Sequence, residues 1–379
     1  MSTIDFMRVR QFLVRDALPF WSTHGAYPNG CFVEQLDLAG APADPGFTRV
    51  RVQARQLYVF SHAHLSGLFA CADLVHRSAE FLMRAAWLGP DRGWARRLRR
   101  DGTLLDAGFD FYDVAFALFA LGWYYRVSGD PRCLARAHET LDFLEMHARH
   151  PSGGFINDAA NSLPRQQNPH MHLVEALNVW FEATGEERFA ALSHQMLDLF
   201  ETRFTDCRTG ALFEFFDADW TRCAAPAGDI VEPGHQFEWA WIIAHNGRMT
   251  GKPRLELMRR VIASALRSGF DSTTGLTVDQ VDDAGRLLAG SHRLWPQTEA
   301  IKAALAEREF LGTLTAPRIA RIVSVLFKRF LDPGPVPGTW IDHYDPEWRP
   351  VVDKVPASSL YHLTVAFLDL LRLQQLLST

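Results

Sequence analysis

The chain has little of what marks a secreted, metal-built or membrane-bound protein. Its five cysteines (Cys31, Cys71, Cys133, Cys207 and Cys223) are scattered, odd in number and never in a CxxC pair. That usage argues against a disulfide framework and a structural zinc site and fits a reducing compartment. No apolar run reaches the roughly 18 residues a spanning helix needs. Residues 1–13 show no uninterrupted apolar core and no small-residue cleavage site, so a cytoplasmic location is expected. Basic charge is not in excess either: 39 Lys and Arg face 44 Asp and Glu, for a net charge of −5. Nucleic acid is therefore excluded as a main partner, as is a membrane. The one basic run, Arg96-Arg97-Leu98-Arg99-Arg100, stands before Asp101-Gly102 and reads as a solvated helix end. Glycine loops of Walker or Rossmann type, which cradle phosphates, are missing as well.

What is present is helix. Hydrophobic residues make up 47% of the chain and charged residues 22%, which suits a globular protein with a substantial core. An opening helix is expected over 4–19. From Thr48 the helical period dominates, over 48–70, 72–88, 110–128, 131–149, 168–184, 186–203, 234–249, 252–268, 296–311, 315–331 and 356–377. Gly89-Pro90, Gly129-Asp130-Pro131, Gly185, Gly251-Lys252-Pro253 and Gly312 punctuate them. The longer connections carry a glycine followed by apolar residues, as in Gly30-Cys31-Phe32-Val33, Gly210-Ala211-Leu212-Phe213 and Gly275-Leu276-Thr277-Val278. Several of these read as short strands or hairpins, notably Cys31 to Asp37, Leu212 to Phe216 and Leu276 to Val281. Alternate helices are apolar almost all round, while their partners keep a charged face. The expected fold is all-α: one (α/α)6 barrel of six helical hairpins spanning 1–379, with short β-hairpin loops at one end.

Polar clusters then fall in phase with the hairpins. Pro233-Gly234-His235-Gln236-Phe237-Glu238-Trp239 opens the fourth inner helix, with His235 and Glu238 on one face. Tyr112-Asp113 opens the second, and Asn168-Pro169-His170-Met171-His172 the third, with Asn168 as the expected N-cap. Trp295-Pro296-Gln297-Thr298-Glu299 opens the fifth and Ser358-Ser359-Leu360-Tyr361-His362 the sixth. Arg55 and Gln56 lie inside the first. Arg55, Tyr112, His172, His235, Trp295 and His362 follow one another at intervals of 57 to 67 residues, so all are expected around one mouth of the barrel. Histidines at helix N-termini are expected neutral, as general bases near pH 7. Tyr112, Trp239 and Trp295 offer flat faces to a sugar ring, and Arg55 can stabilise an oxyanion beside a carbon losing its proton. The chemistry these groups suggest is proton abstraction next to the carbonyl of an open-chain sugar.

Arg55, Asn168-Pro169-x-Met171-His172-Leu173-x-Glu175-Ala176, Gly234-His235-x-x-Glu238-Trp239, Trp295-Pro296-Gln297-x-Glu299-Ala300 and Tyr361-His362 together resemble the N-acylglucosamine 2-epimerase superfamily. The resemblance runs in order through nearly the whole chain. It implies an (α/α)6 barrel and a sugar isomerase or 2-epimerase. It also implies His235 and His362 as the acid/base pair, with His172 assisting ring opening or proton transfer. Arg55, Tyr112, Asn168, Glu238, Trp295 and Glu299 would shape the sugar site, with Trp239 and Gln297 of the same motifs beside them. The chain has only Ser152-Gly153-Gly154-Phe155 where nucleotide-responsive epimerases carry a glycine-rich loop, and a single Trp in Arg293-Leu294-Trp295-Pro296-Gln297. Those features are more similar to the mannose-type ketol-isomerases. The expected partner is a small sugar, with no cofactor and no metal, and the chain acts as a monomer or homodimer. The alternatives are an N-acylglucosamine, mannose or cellobiose 2-epimerase and, in a different class, an inverting glycoside hydrolase using Glu238 and Glu299.

Other polar residues carry plainer readings. His62 and His64, two apart, cannot face one another on a helix. His138, His147 and His150 are expected to be solvated on an outer helix, and Asp229, Glu232, Asp279, Asp282 and Asp283 to be solvated loop carboxylates.

Overall fold

Helices without a polar face have to be surrounded by other helices, and that requirement organises the fold. In the computed structural model, which describes residues 3–377, the helix Phe111–Ser128 buries thirteen residues on all sides of its axis. By contrast Ala72–Ala85 buries Leu74, Val75, Ser78, Ala79, Phe81 and Leu82, a single stripe at helical spacing. Six helices form the inner ring: α2 (Val50–Leu65), α4 (Phe111–Ser128), α6 (Asn168–Thr184), α8 (Pro233–Thr250), α10 (Leu294–Leu311) and α12 (Ser359–Arg372). Each packs on the next, and α12 packs back on α2, so the ring closes. The outer layer comprises α1 (residues 6–24), α3 (Ala72–Ala85), α5 (Pro131–His147), α7 (residues 187–204), α9 (Leu255–Ser268) and α11 (residues 316–331). Five outer helices follow their inner partner directly. The sixth, α1, packs on α12, so the first and last helices of the chain complete one hairpin.

The inner-to-outer turns are tight because they end in glycine. Gly129, Gly185, Gly251 and Gly312 cap α4, α6, α8 and α10 in the left-handed conformation, at φ of 66°, 72°, 67° and 69°. The outer-to-inner connections are long and gather at the other end, where every inner helix begins. Their strands are shorter than the sequence suggests: Gln35–Asp37 within 31–37, Phe215–Phe216 within 212–216, and Leu276–Thr277 and Gln280–Val281 within 276–281. They tie neighbouring loops together. Gln35–Asp37 pairs antiparallel with Lys354–Pro356, in the register Leu36 to Val355, and so joins the first loop to the last. Arg165–Gln166 pairs with Phe215–Phe216, and His292–Arg293 with His343–Tyr344. Among the described residues no helix is long and apolar enough to cross a membrane.

Candidate active site

A cavity of about 420 Å³ opens at the end of the barrel where the inner helices start. Its wall includes Arg55, Tyr112, Asn168, His172, His235, Glu238, Trp295 and His362, contributed by all six inner helices. Three of the expected residues stand behind this wall. Trp239 is fully buried, packs its ring on Phe200 at 4.2 Å and donates Nε1–H to Oε1 of Gln167 at 2.6 Å. Gln297 accepts from the backbone N–H of Thr277 at 2.8 Å and donates to the carbonyls of Thr277 and Arg293. It thus fastens a loop strand to α10. Glu299 also lies below the surface, under His362.

The two histidines that flank the cavity differ in charge. His235 donates Nδ1–H to Oε2 of Glu214 at 3.0 Å, with Glu232 at 3.6 Å. Burial works against its charged form, but Glu214 and Glu232 outweigh burial and raise the imidazole from 6.5 to about 9. The expectation of a neutral histidine at a helix start therefore fails for His235: two full carboxylates overcome half a helix charge. His362 donates Nδ1–H to Oε1 of Glu299 at 2.8 Å. There burial dominates, Arg55 and Lys302 add to it, and the imidazole falls to about 4 although Glu299 opposes them. The Trp295 indole packs beside both rings, at centroid distances of 4.9 Å from His235 and 5.7 Å from His362. His172, 3.3 Å from Glu175, packs against Tyr112 and Phe116, and burial and then Arg55 hold it well below its ordinary value.

Arg55 supplies the positive wall. It donates to the Tyr112 hydroxyl at 2.6 Å and stacks on Phe116 and Tyr361, with no carboxylate of the described residues in ion-pair range. A buried guanidinium left unpaired attracts an oxyanion. Asn168 does not cap its helix; Gln167 takes that position. Its side-chain nitrogen lies 3.2 Å from Nε2 of His235, while Oδ1 has no partner. Turning the amide sets Oδ1 to accept from the charged imidazole. Glu238 carries an unpartnered oxygen, and burial, reinforced by Glu299, raises it to about 8.

Several contributors are not among the expected site residues. Glu214 is the most consequential, because a chain of hydrogen bonds runs from Trp239 through Gln167 and Glu214 to His235. A lone carboxylate in the apolar stretch Ala211–Phe216 was the available signal. Lys302, inside Ala300-Ile301-Lys302-Ala303-Ala304, carried the same kind of signal. Glu232 and Asp279 are not solvated: Glu232 pairs with Arg293 and Gln280, and Asp279, 4% exposed, pairs with Arg293, Ser291 and His343. His150 is buried as well, with Nδ1 accepting from the backbone N–H of Ser152.

Fold and site define an (α/α)6-barrel enzyme of the kind that isomerises or epimerises sugars. The chain belongs to the N-acylglucosamine 2-epimerase (GlcNAc 2-epimerase) family, which it matches over residues 30–366. It is 33% identical to a mannose-6-phosphate isomerase of Rhizobium meliloti (strain 1021) over 369 residues, 93% of either chain. Among solved structures, a cellobiose 2-epimerase from Spirochaeta thermophila superposes with a TM-score of 0.85 at 24% identity, covering 97% of this chain and 96% of that one. A D-mannose isomerase superposes with a TM-score of 0.85 at 20% identity, covering 98% and 100%.

Proposed function

We propose that the chain is an aldose–ketose isomerase of the mannose–fructose type, moving a proton between C2 and C1 of an open-chain sugar through an enediol. His362 is the base: Nδ1–H is committed to Glu299, the ring is neutral at pH 7, and Nε2 takes the C2 proton. His235, protonated at pH 7, gives its proton to O1 as C2 is deprotonated, with Arg55 close to the developing charge. His362 then returns its proton to C1 while His235 recovers one from the O2 hydroxyl. Neutral His172, beside Glu175, assists ring opening, and the Trp295 face supports the sugar chain.

The observation that carries this reading is the different setting of the two imidazoles, His235 held charged by Glu214 and Glu232 and His362 held neutral by burial. In the isomerisation above each histidine ends as it began. Two-base epimerisation instead leaves His362 charged and His235 neutral, against the direction in which burial lowers the one and Glu214 and Glu232 raise the other. Inverting hydrolysis is disfavoured by geometry: oxygens of Glu238 and Glu299 lie within 4.8 Å, where that chemistry needs carboxyls roughly 6.5–9.5 Å apart. A second substrate to test is mannose 6-phosphate: an adjoining cavity of about 510 Å³ is lined by Arg49, Arg51 and Arg96, which pair with Glu34, Asp110 and Asp113, and also by Asp158. The name of the Rhizobium relative supports the same substrate.

The test is product analysis on mannose, mannose 6-phosphate, glucose and N-acetylmannosamine, each supplied separately. Fructose or its 6-phosphate from the corresponding mannose supports isomerisation. Glucose with negligible fructose would make the enzyme a 2-epimerase, and conversion of N-acetylmannosamine alone an N-acylglucosamine epimerase.

A further inference from the structure

Beneath the mouth cavity lies a layer of buried charge that the proton transfers do not use directly. Glu175, Glu238 and Glu299 come from three inner helices and are each no more than 1% exposed. The cation facing all three is Lys302, one turn after Glu299 and itself fully buried. Its ammonium stands 2.6 Å from Oε2 of Glu299, 3.9 Å from Oε1 of Glu238 and 4.3 Å from the centroid of the Trp241 ring. Only four lysines occur in the chain (252, 302, 328 and 354), against a total of 39 basic residues. Taking an ammonium fully out of water costs several kcal/mol unless close charges offset it.

We propose that Lys302 is a positioning residue that keeps Glu299 ionised and thereby holds His362 in the tautomer with its proton on Nδ1 and its lone pair on Nε2. Glu299 divides its two oxygens between the partners, Oε1 to His362 and Oε2 to Lys302. Burial alone would protonate this carboxyl, as it drives Glu238 and Glu175 upward; Lys302 first, and then His362, turn the balance to the ionised form. With the ammonium gone, Glu299 takes up a proton and donates it to Nδ1 of His362. The imidazole proton must then sit on Nε2, where the base needs a lone pair. Glu238, Glu299 and His362 bring ligand atoms within 4.8 Å of one another, as a metal site would. The ammonium lies on the carboxylate side of that group and supplies the positive charge from the protein itself.

This inference rests on His362 being the base, and the experiment separates the two claims. Lys302→Gln, Glu299→Gln and the double variant are compared with wild type for kcat and KM on the sugar that wild type converts. Lys302→Gln is expected to lower kcat about 10²-fold with KM nearly unchanged, and the double variant to be no slower than Glu299→Gln alone, because both act through one path. Propylammonium is expected to restore at least about tenfold to Lys302→Ala and to leave wild type unchanged. A second cavity of about 440 Å³ at the opposite end of the barrel reaches Glu175 and Trp241 and gives the amine a way in. The rescue compares one protein with and without amine, so a lowered stability does not imitate it. A Lys302→Gln rate close to wild type, independent losses that multiply in the double variant, or no rescue would overturn the role of Lys302. A wild type that moves no proton on any sugar would instead overturn the proposed function.

Discussion

Two histidines at equivalent places in their hairpins differ because of the carboxylates beside them and how far those outweigh burial. Glu214 gives His235 a carboxylate that nothing neutralises, whereas the carboxylate of His362 is shared with Lys302. The proposed mechanism requires His362 neutral and His235 charged, so kcat/KM should fall as pH drops through about 4 and again as it rises through about 9. Removing the partner tests this directly: Glu214→Gln should move the alkaline limb down toward 6.5 and leave the acid limb in place. An unmoved alkaline limb would take His235 out of the acid's role. Replacing His235 or His362 with Asn should cost at least about 10²-fold in rate. Stability follows the same titration. The His235 pKa is raised on folding, so its contribution is fully present below 6.5 and lost as pH rises through about 9. Thermal melts of wild type should therefore decline across that window more than those of His235→Asn.

At the scale of helices and loops, glycine decides both the turns and one side of the site. A Cβ on Gly234 would come within 2.7 Å of the tip of the Trp295 indole and 3.0 Å of Pro296. Gly234→Ala should thus push the indole from its place beside the two histidines and lower kcat/KM about tenfold or more with the fold intact. Gly251→Ala meets open space but must hold φ near 67°, so it should cost about 1 kcal/mol and leave kcat alone. A shift in denaturation midpoint at constant slope measures that cost. The helices were legible in the sequence because an all-apolar helix such as Phe111–Ser128 has one place to go, inside a ring. So were the wall residues that open inner helices, since their phase is the phase of the repeat. Glu214, Glu232 and Asp279 were not, because they sit on loops whose paths depend on pairings between distant segments, such as Arg165–Gln166 with Phe215–Phe216. Trp239 and Gln297 were legible as motif residues but not as supports: helical period gives the face only to within a residue or so, and both turn outward from the mouth.

The molecule as a whole is a closed ring that points six helix starts at one cavity, with the last hairpin completed by the first helix. Closure gives the cavity a floor of buried ionisable groups, in which Glu299 is shared between Lys302 and His362. The central claim is that one histidine carries a proton from C2 to C1 while the other serves the oxygens. Incubation of mannose with the enzyme in D2O, followed by NMR, tests it most directly. The account predicts fructose, deuterated at C1 to the extent that the proton held on His362 exchanges with solvent, with glucose forming far more slowly. Fructose-free accumulation of glucose deuterated at C2 would contradict the division of labour between His235 and His362.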